Sequence, residues 1–389
     1  MHRRIADTSR RVAALLAALA AALLLAASAQ AKTAFEGNGM WIWYVSQAEG
    51  GSLGAIVSKA RAHDIRTVYI KAGDGTHGGV FSSQFRNSIG TLKAGGLKVC
   101  AWQYVYGDHP KDEAKVSAAA IKAGADCFVI DAEAQYEGKY SAARKYINRL
   151  RDLVGGGYPI ALTGFPYVDY HPAFPYSVFL GPGAARYNLP QVYWKEISGG
   201  LDTVIGHTYR WNRPYGRSIF PLGQVYEGHL GRPSTKGIKR FRKYAKAEGA
   251  KGVSWWEWHF ATESQWDALG APISPFKDPI ETEYATQSKG DRGDIVYWAQ
   301  RLLTAAGHKT TADGDFGSAT KSSVKGFQHD NGLPVTGAID TATWKALLHY
   351  KSQAARAKVR AASVETTPRS ATLPAKRYEI PPPAERRPR

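Results

Sequence analysis

Between residues 39 and 269 two patterns of apolar and polar positions take turns along the chain. Short, mainly apolar runs at 40–45, 67–72, 99–104, 128–131, 160–163, 191–193, 219–222 and 252–256 alternate with stretches of helical period, clearest at 53–62, 112–123, 141–153 and 234–247. A mainly apolar run suits a strand covered on both faces, and strands that alternate with helices build a parallel sheet. Eight such units over about 230 residues match the size of a (β/α)8 barrel. A doubly wound open sheet has the same element order, but no Gly-rich phosphate loop follows the first run. The reading is therefore an α/β chain with a TIM-type barrel over residues 36–270.

The pattern changes at 271–289, where Pro272, Pro275 and Pro279 stand among polar residues without an apolar period, which predicts a linker. Beyond it, Ile295, Trp298, Leu302 and Leu303 share one helical face, Thr320, Val324 and Phe327 a second, and Thr343, Ala346 and Leu347 begin a third. Three short helices joined by Gly-bearing turns predict a small all-α domain over 290–349. Asp313-Gly314, Phe316-Gly317, Thr320, Val324, Phe327-Gln328, Gly332-Leu333, Gly337, Thr343-Trp344 and Leu347 together resemble the peptidoglycan-binding domain of many cell-wall hydrolases. That resemblance implies binding to peptidoglycan. The residues alone, mostly turn glycines, caps and core positions, predict a compact helical module.

Both ends of the chain differ in composition from the middle. Arg3, Arg4, Arg10 and Arg11 precede an apolar stretch from Val12 to Ala27 and the small-x-small Ala29-Gln30-Ala31, the layout of an export signal over residues 1–31. An uncleaved anchor is the alternative, although the stretch is shorter than the roughly 20 residues that span a bilayer. No later segment is long and apolar enough to span, so the expected location is secreted, extracellular or wall-associated, and periplasmic in an organism with an outer membrane. Residues 351–389 carry ten Lys or Arg against three Glu, with Pro381 to Pro383, and this basic, Pro-rich composition predicts a disordered tail. The formal net charge of +18 suits contact through that tail with anionic wall polymers or lipid headgroups, although a tail that only solubilises is the favoured reading. Nucleic acid is not expected, because no nucleic-acid module accompanies the charge.

Candidate chemistry begins at "CFVIDAEAQYEG", an apolar run that stops on Asp131 and Glu133. Residues i and i+2 of a strand face the same way, about 6.6 Å apart. Barrel sites lie at the C-terminal ends of the strands, where this pair closes the fourth. Neighbouring carboxylates push their pKa values apart and leave one suited to act as a general acid. The bland alternative is a helix cap or an ion pair. Other strand ends supply Trp41, Trp43, Lys71, Asp74, Trp102, Tyr104, Phe165, Tyr167, Tyr193, Trp194, Gln224, Tyr226 and the run Trp255 to Trp258, which includes Glu257. Aromatics with a few polar groups suit the apolar faces and hydroxyl edges of sugars. Period-2 geometry sends about half of these outward into ordinary core, and the sequence leaves open which half. The substrate-binding candidates are Lys71, Asp74, Trp102, Tyr104, Tyr193, Gln224 and Trp256; the catalytic candidates are Glu133, Asp131 and Glu257.

"YIKAGDG", Phe85, Asn87, "AGGLKV" and the Asp131-x-Glu133 pair resemble the family 25 glycoside hydrolases, lysozymes that cut between N-acetylmuramic acid and N-acetylglucosamine. The resemblance implies that Glu133 is the general acid and that Asp131 orients or stabilises the sugar's N-acetyl group. It implies no cofactor. The family's first strand carries Gly-x-Asp, where this chain has Gly39-Met40-Trp41, and a late aspartate has only Glu227 and Glu257 as candidates. The expected function is thus a muramidase-like hydrolase of cell-wall glycan. A wall protein whose barrel holds sugar without cutting it is the alternative, and a hydrolase of another glycan the third. His207, His229 and His259 lack metal-site spacing, so no metal is expected, and "LTGFP" has no central serine for a nucleophile elbow. Cys100 and Cys127 fall in neighbouring strands, as a disulfide in an exported protein or as two buried thiols.

Overall fold

The computed structural model describes residues 33–276 and 280–356. The export signal expected at 1–31 and the basic tail beyond residue 356 lie outside the described residues.

Nine strands form one parallel sheet: β1 (Gly37–Ile42), β2 (Ile65–Asp74), β3 (Lys98–Val105), β4 (Cys127–Ala132), β5 (Ile160–Gly164), β6 (Tyr187–Val192), β7 (Ser218–Ile219), β8 (Leu222–Gln224) and β9 (Gly252–Trp256). Neighbours pair in chain order, β1 also pairs with β9, and β5 pairs with β6, so the sheet closes into a barrel. The seventh of the eight expected strands is split into β7 and β8, which pair in turn with β6. The break falls at Phe220-Pro221, where proline has no N–H to give the ladder.

Outside the ring run α1 (Leu53–Ala62), α2 (Gly79–Ala94), α3 (Pro110–Lys122), α4 (Tyr140–Val154), α5 (Tyr176–Phe179), α6 (Gly200–Asn212), α7 (Thr235–Ala247) and α8 (Glu263–Gly270). Their starts follow from local chemistry. Ser52 and Ser234 accept from the amides of Ala55 and Gly237, Pro110 opens α3, and Thr262 with Gln265 forms a capping box on α8.

Alternation along the strands divides the core in two. Trp41, Tyr69, Cys100, Trp102, Cys127, Val129, Leu189, Leu222 and Trp256 fill the barrel, while Val68, Ile70, Val99, Phe128, Ile130 and Leu162 meet the helices. The interior is tight enough to dictate a glycine: a Cβ on Gly39 would stand 2.4 Å from the Tyr69 ring. Cys100 and Cys127 are register partners on β3 and β4, their Cα atoms 4.6 Å apart, and they form a disulfide inside the barrel.

The C-terminal module comprises α9 (Asp294–Ala305), α10 (Ser318–Asp330), α11 (Thr341–Leu348) and α12 (Lys351–Arg356) around Leu302, Leu303, Phe316, Val324, Phe327, Trp344 and Leu347. It is docked on the barrel. The Asp294 carboxylate, at the start of α9, accepts from Ser177 N (2.8 Å), Ser177 Oγ (2.6 Å) and Tyr215 Oη (2.9 Å). The Asp294 amide donates to Pro172 O at 2.8 Å and Trp298 Nε1 to Pro214 O at 2.8 Å. Burial pushes the Asp294 carboxyl up to about 6, against the opposing pull of the groups that donate to it. Within the stretch read as a linker, Glu283 O accepts from Arg213, Ala285 N donates to Arg210 O, and Gln287 bridges to Ile339. The first residues read as tail are helical in α12, because Ala354 is buried and Lys351 Nζ donates to Tyr215 O and Gly216 O.

Candidate active site

β4 carries Cys127, Val129 and Asp131 on its inner face, and Glu133 follows one residue past its end. The two carboxyls are nearly sealed, at 3% and 7% exposure. Gln191, on the inner face of β6, donates from Nε2 to Glu133 Oε1 at 2.9 Å and to Asp131 Oδ1 at 3.3 Å. Burial raises the Asp131 carboxyl well above the carboxylate range, Glu133 adds to the rise, and Lys71 opposes it. Burial raises Glu133 as well, while the hydrogen bonds with Gln191 and Asp131 pull it back. Two buried carboxyls in contact do not both ionise near neutrality, so the pair shares a proton.

Lys71, on β2, is the cation of the site. Its Nζ lies 2.6 Å from Asp74 Oδ2, and 4.0, 4.4 and 5.1 Å from the ring centres of Trp43, Phe81 and Trp102. Burial depresses the ammonium, and the charges of Asp74, Asp131 and Glu257 oppose that. Tyr106 Oη donates to Asp74 Oδ1 at 2.8 Å. Tyr104 stands beside Asp131 in the register and donates to Gln135 Oε1 at 2.6 Å; burial, then Glu133 and Asp131, hold its hydroxyl protonated.

Aromatic rings make the remaining walls. Trp102 lies 5.3 Å from Trp256 and 5.8 Å from Trp43 between ring centres, and Tyr193 packs edge-on to Tyr226 at 5.6 Å. Trp41 lies deeper, completely buried, with Nε1 donating to Ser254 Oγ at 3.0 Å. The first strand therefore offers the mouth an indole at Trp43 and no carboxylate.

Asp131, Glu133, Lys71, Asp74, Trp102, Tyr104, Tyr193 and Trp256 are thus brought around one mouth. Glu257 is buried at its edge with both oxygens engaged: Oε2 accepts from the Trp43 amide at 2.9 Å, and Oε1 meets His259 Nδ1 at 2.5 Å. Gln224 is spent on the backbone, accepting from Lys195 N at 2.8 Å and donating to Tyr226 O. Glu227 is exposed beside Arg232. Trp194, Trp255, Trp258, Phe165 and Tyr167 belong to the outer core. His207 and His229 pair with Asp169 and Glu196. Among the described residues no group of three or more His, Cys, Asp or Glu is placed to hold a metal. Sequence reasoning missed Gln191 and Tyr106. The signal for Gln191 was available, because it stands two residues before Tyr193 and so shares its face.

Residues 292–347 match a family model described as a peptidoglycan binding domain. A peptidoglycan-binding protein from Clostridioides difficile is 40% identical over 16% of this chain and 40% of that one, with a TM-score of 0.16. A chitinase from Chromobacterium violaceum overlays 60% of this chain and 98% of its own at 12% identity and a TM-score of 0.47. The spore cortex-lytic enzyme of Bacillus cereus overlays 62% and 75% at 10% identity and a TM-score of 0.45. Among curated proteins, aspartate–tRNA ligases of Streptococcus pyogenes are 34% identical over 82 residues, 21% of this chain. The chain spans only 13% of the length of those ligases. At its C-terminal end, then, the chain carries a module of the peptidoglycan-binding type, joined to a closed parallel barrel.

Proposed function

We propose that this is an extracytoplasmic cell-wall protein whose helical module binds peptidoglycan and whose barrel hydrolyses an N-acetylated glycan. The observation that carries the catalytic half is the pair Asp131 and Glu133, buried, proton-sharing and bridged by Gln191 at the C-terminal end of β4. The family match at 292–347 carries the binding half. None of the proteins named above is described as a family 25 lysozyme, so the bond is proposed only as one next to an N-acetylated sugar.

In this reading Glu133 gives its proton to the glycosidic oxygen as the bond breaks, while the substrate's N-acetyl oxygen attacks the anomeric carbon. At rest the shared proton favours Asp131; as the acetamido N–H arrives to donate to Asp131, that proton passes to Glu133 and the Lys71 charge steadies the Asp131 anion. Water, deprotonated by Glu133, then opens the cyclic intermediate. This route needs no carboxylate from the first strand, which agrees with the burial of Trp41. That same absence favours the second reading, a barrel that holds glycan without cutting it.

Reducing-end release from purified peptidoglycan and from chitin oligomers separates the two. Glu133→Gln is expected to lower the rate at least about a hundredfold while leaving wall binding intact. Full activity in that variant overturns the site, and binding without release by the wild type at any pH favours the second reading.

A further inference from the structure

At the foot of the barrel, where β5, β6 and β7 begin, three arginines and a lysine gather, and no carboxylate among the described residues pairs with them. Arg151, near the end of α4, donates from Nη1 to Gly155 O (3.1 Å) and Tyr158 O (2.9 Å), and from Nη2 to Ala184 O (2.8 Å). Arg217 donates from Nε to Leu180 O at 2.6 Å and from Nη2 to Gly181 O. Arg186, exposed just before β6, donates to Gly156 O at 2.9 Å. Lys351 of α12 reaches Tyr215 O (2.6 Å) and Gly216 O (2.7 Å), beside Arg217. Two of the arginines therefore hold the loop at 180–186, the third ends it, and the lysine closes from the helical module.

These groups feel one another. Burial and then Arg186 depress Arg151 to about 10; burial, Arg186 and Arg151 depress Arg217 to about 10; burial and then Arg217 depress Lys351 to about 6. Among the described residues, no carboxylate acts on these three. Carbonyl dipoles satisfy most of the N–H groups, the arginines keep their charge near neutrality, and Lys351, near 6, takes up its proton when an anion arrives. Moreover, Arg151 Nε is buried with no hydrogen-bond partner among the described residues, which leaves one guanidinium donor unused there.

We propose that this cluster binds a phosphate-type oxyanion, taken by Arg151 Nε and the guanidiniums of Arg186 and Arg217 and closed by Lys351. Guanidinium groups present paired donors that match the oxygens of a tetrahedral anion, and burial strengthens each contact. Inorganic phosphate and the phosphodiester of an anionic wall polymer share this chemistry. Either would tie α12 to the barrel foot, far from the Asp131–Glu133 mouth, so the site stands whether or not the barrel is an enzyme.

The test measures the melting temperature of the whole protein in inorganic phosphate against chloride at equal ionic strength, with calorimetric titration of phosphate. The wild type is expected to gain about 2 °C or more in phosphate. The double variant Arg186→Gln with Lys351→Met, which removes one exposed side chain and one lysine, is expected to keep its circular dichroism, lose the gain and bind phosphate at least tenfold more weakly. An equal gain in the variant, or none in the wild type, overturns the proposal. Competition by soluble poly(glycerol phosphate) at lower concentration than phosphate assigns the site to a wall polymer; no competition assigns it to the free anion.

Discussion

Asp131 is held in a form that folding alone would not choose. Its carboxyl is raised, so the native state keeps a proton that the unfolded chain releases near pH 4. Stability contributed at this residue is therefore present in acid and declines as pH rises from that point. Asp131→Asn removes the penalty, and its melting temperature is expected to climb relative to the wild type between pH 5 and pH 8, while glycan hydrolysis falls. Parallel curves across that range would show that Asp131 ionises freely. That the two acids would stand together was legible in the sequence, because residues i and i+2 of a strand share a face. Gln191 was less legible, since a neutral amide announces no charge. The division of the tryptophans was not legible at all: Trp255 and Trp256 differ only in which face of β9 they occupy, and a one-residue shift in register exchanges them.

Strands read well where apolar residues dominate the run, as in β2 to β5. β6 begins at Tyr187, four residues before the expected start, because Asn188 and Pro190 disguise it. Asn188 is nonetheless buried, donating to Asn212 Oδ1 at 2.8 Å. Tertiary pairing overrides propensity there. The β3–β4 disulfide is an element-scale feature too: it links positions 27 residues apart across α3, and closing such a loop restricts the unfolded chain by about 3.5 kcal/mol. Reduction is expected to lower the melting temperature by several degrees, and alkylation without reductant to leave both cysteines unmodified. Two alkylated cysteines in the native protein would refute the bridge.

At the scale of the molecule, the sequence suggested two domains on a linker, and the contact between them was invisible. Asp294 looks like an ordinary acid in the first turn of a helix, favourable there for its charge alone. In the structure it is completely buried between α9, Ser177 and Tyr215. With its carboxyl near 6 against an ordinary 3.8, the native state binds the proton more tightly. Docking is strongest in acid and loses up to about 3 kcal/mol as pH rises from 4 to 6. Asp294→Asn is expected to flatten that part of the stability profile, as read by denaturant midpoints at pH 4 and pH 7; an unchanged slope would place the titration elsewhere.

The docked module also sets how the proposed enzyme would travel. A catalytic head on a slack tether sweeps a sphere around its mooring and clears many strands for each landing. Here Asp294, Trp298 and Lys351 fasten mooring and head together, so the mouth grazes at one standoff and one heading. Once the strands within that narrow reach are gone, progress waits on release, and a tighter grip on the wall would slow its digestion.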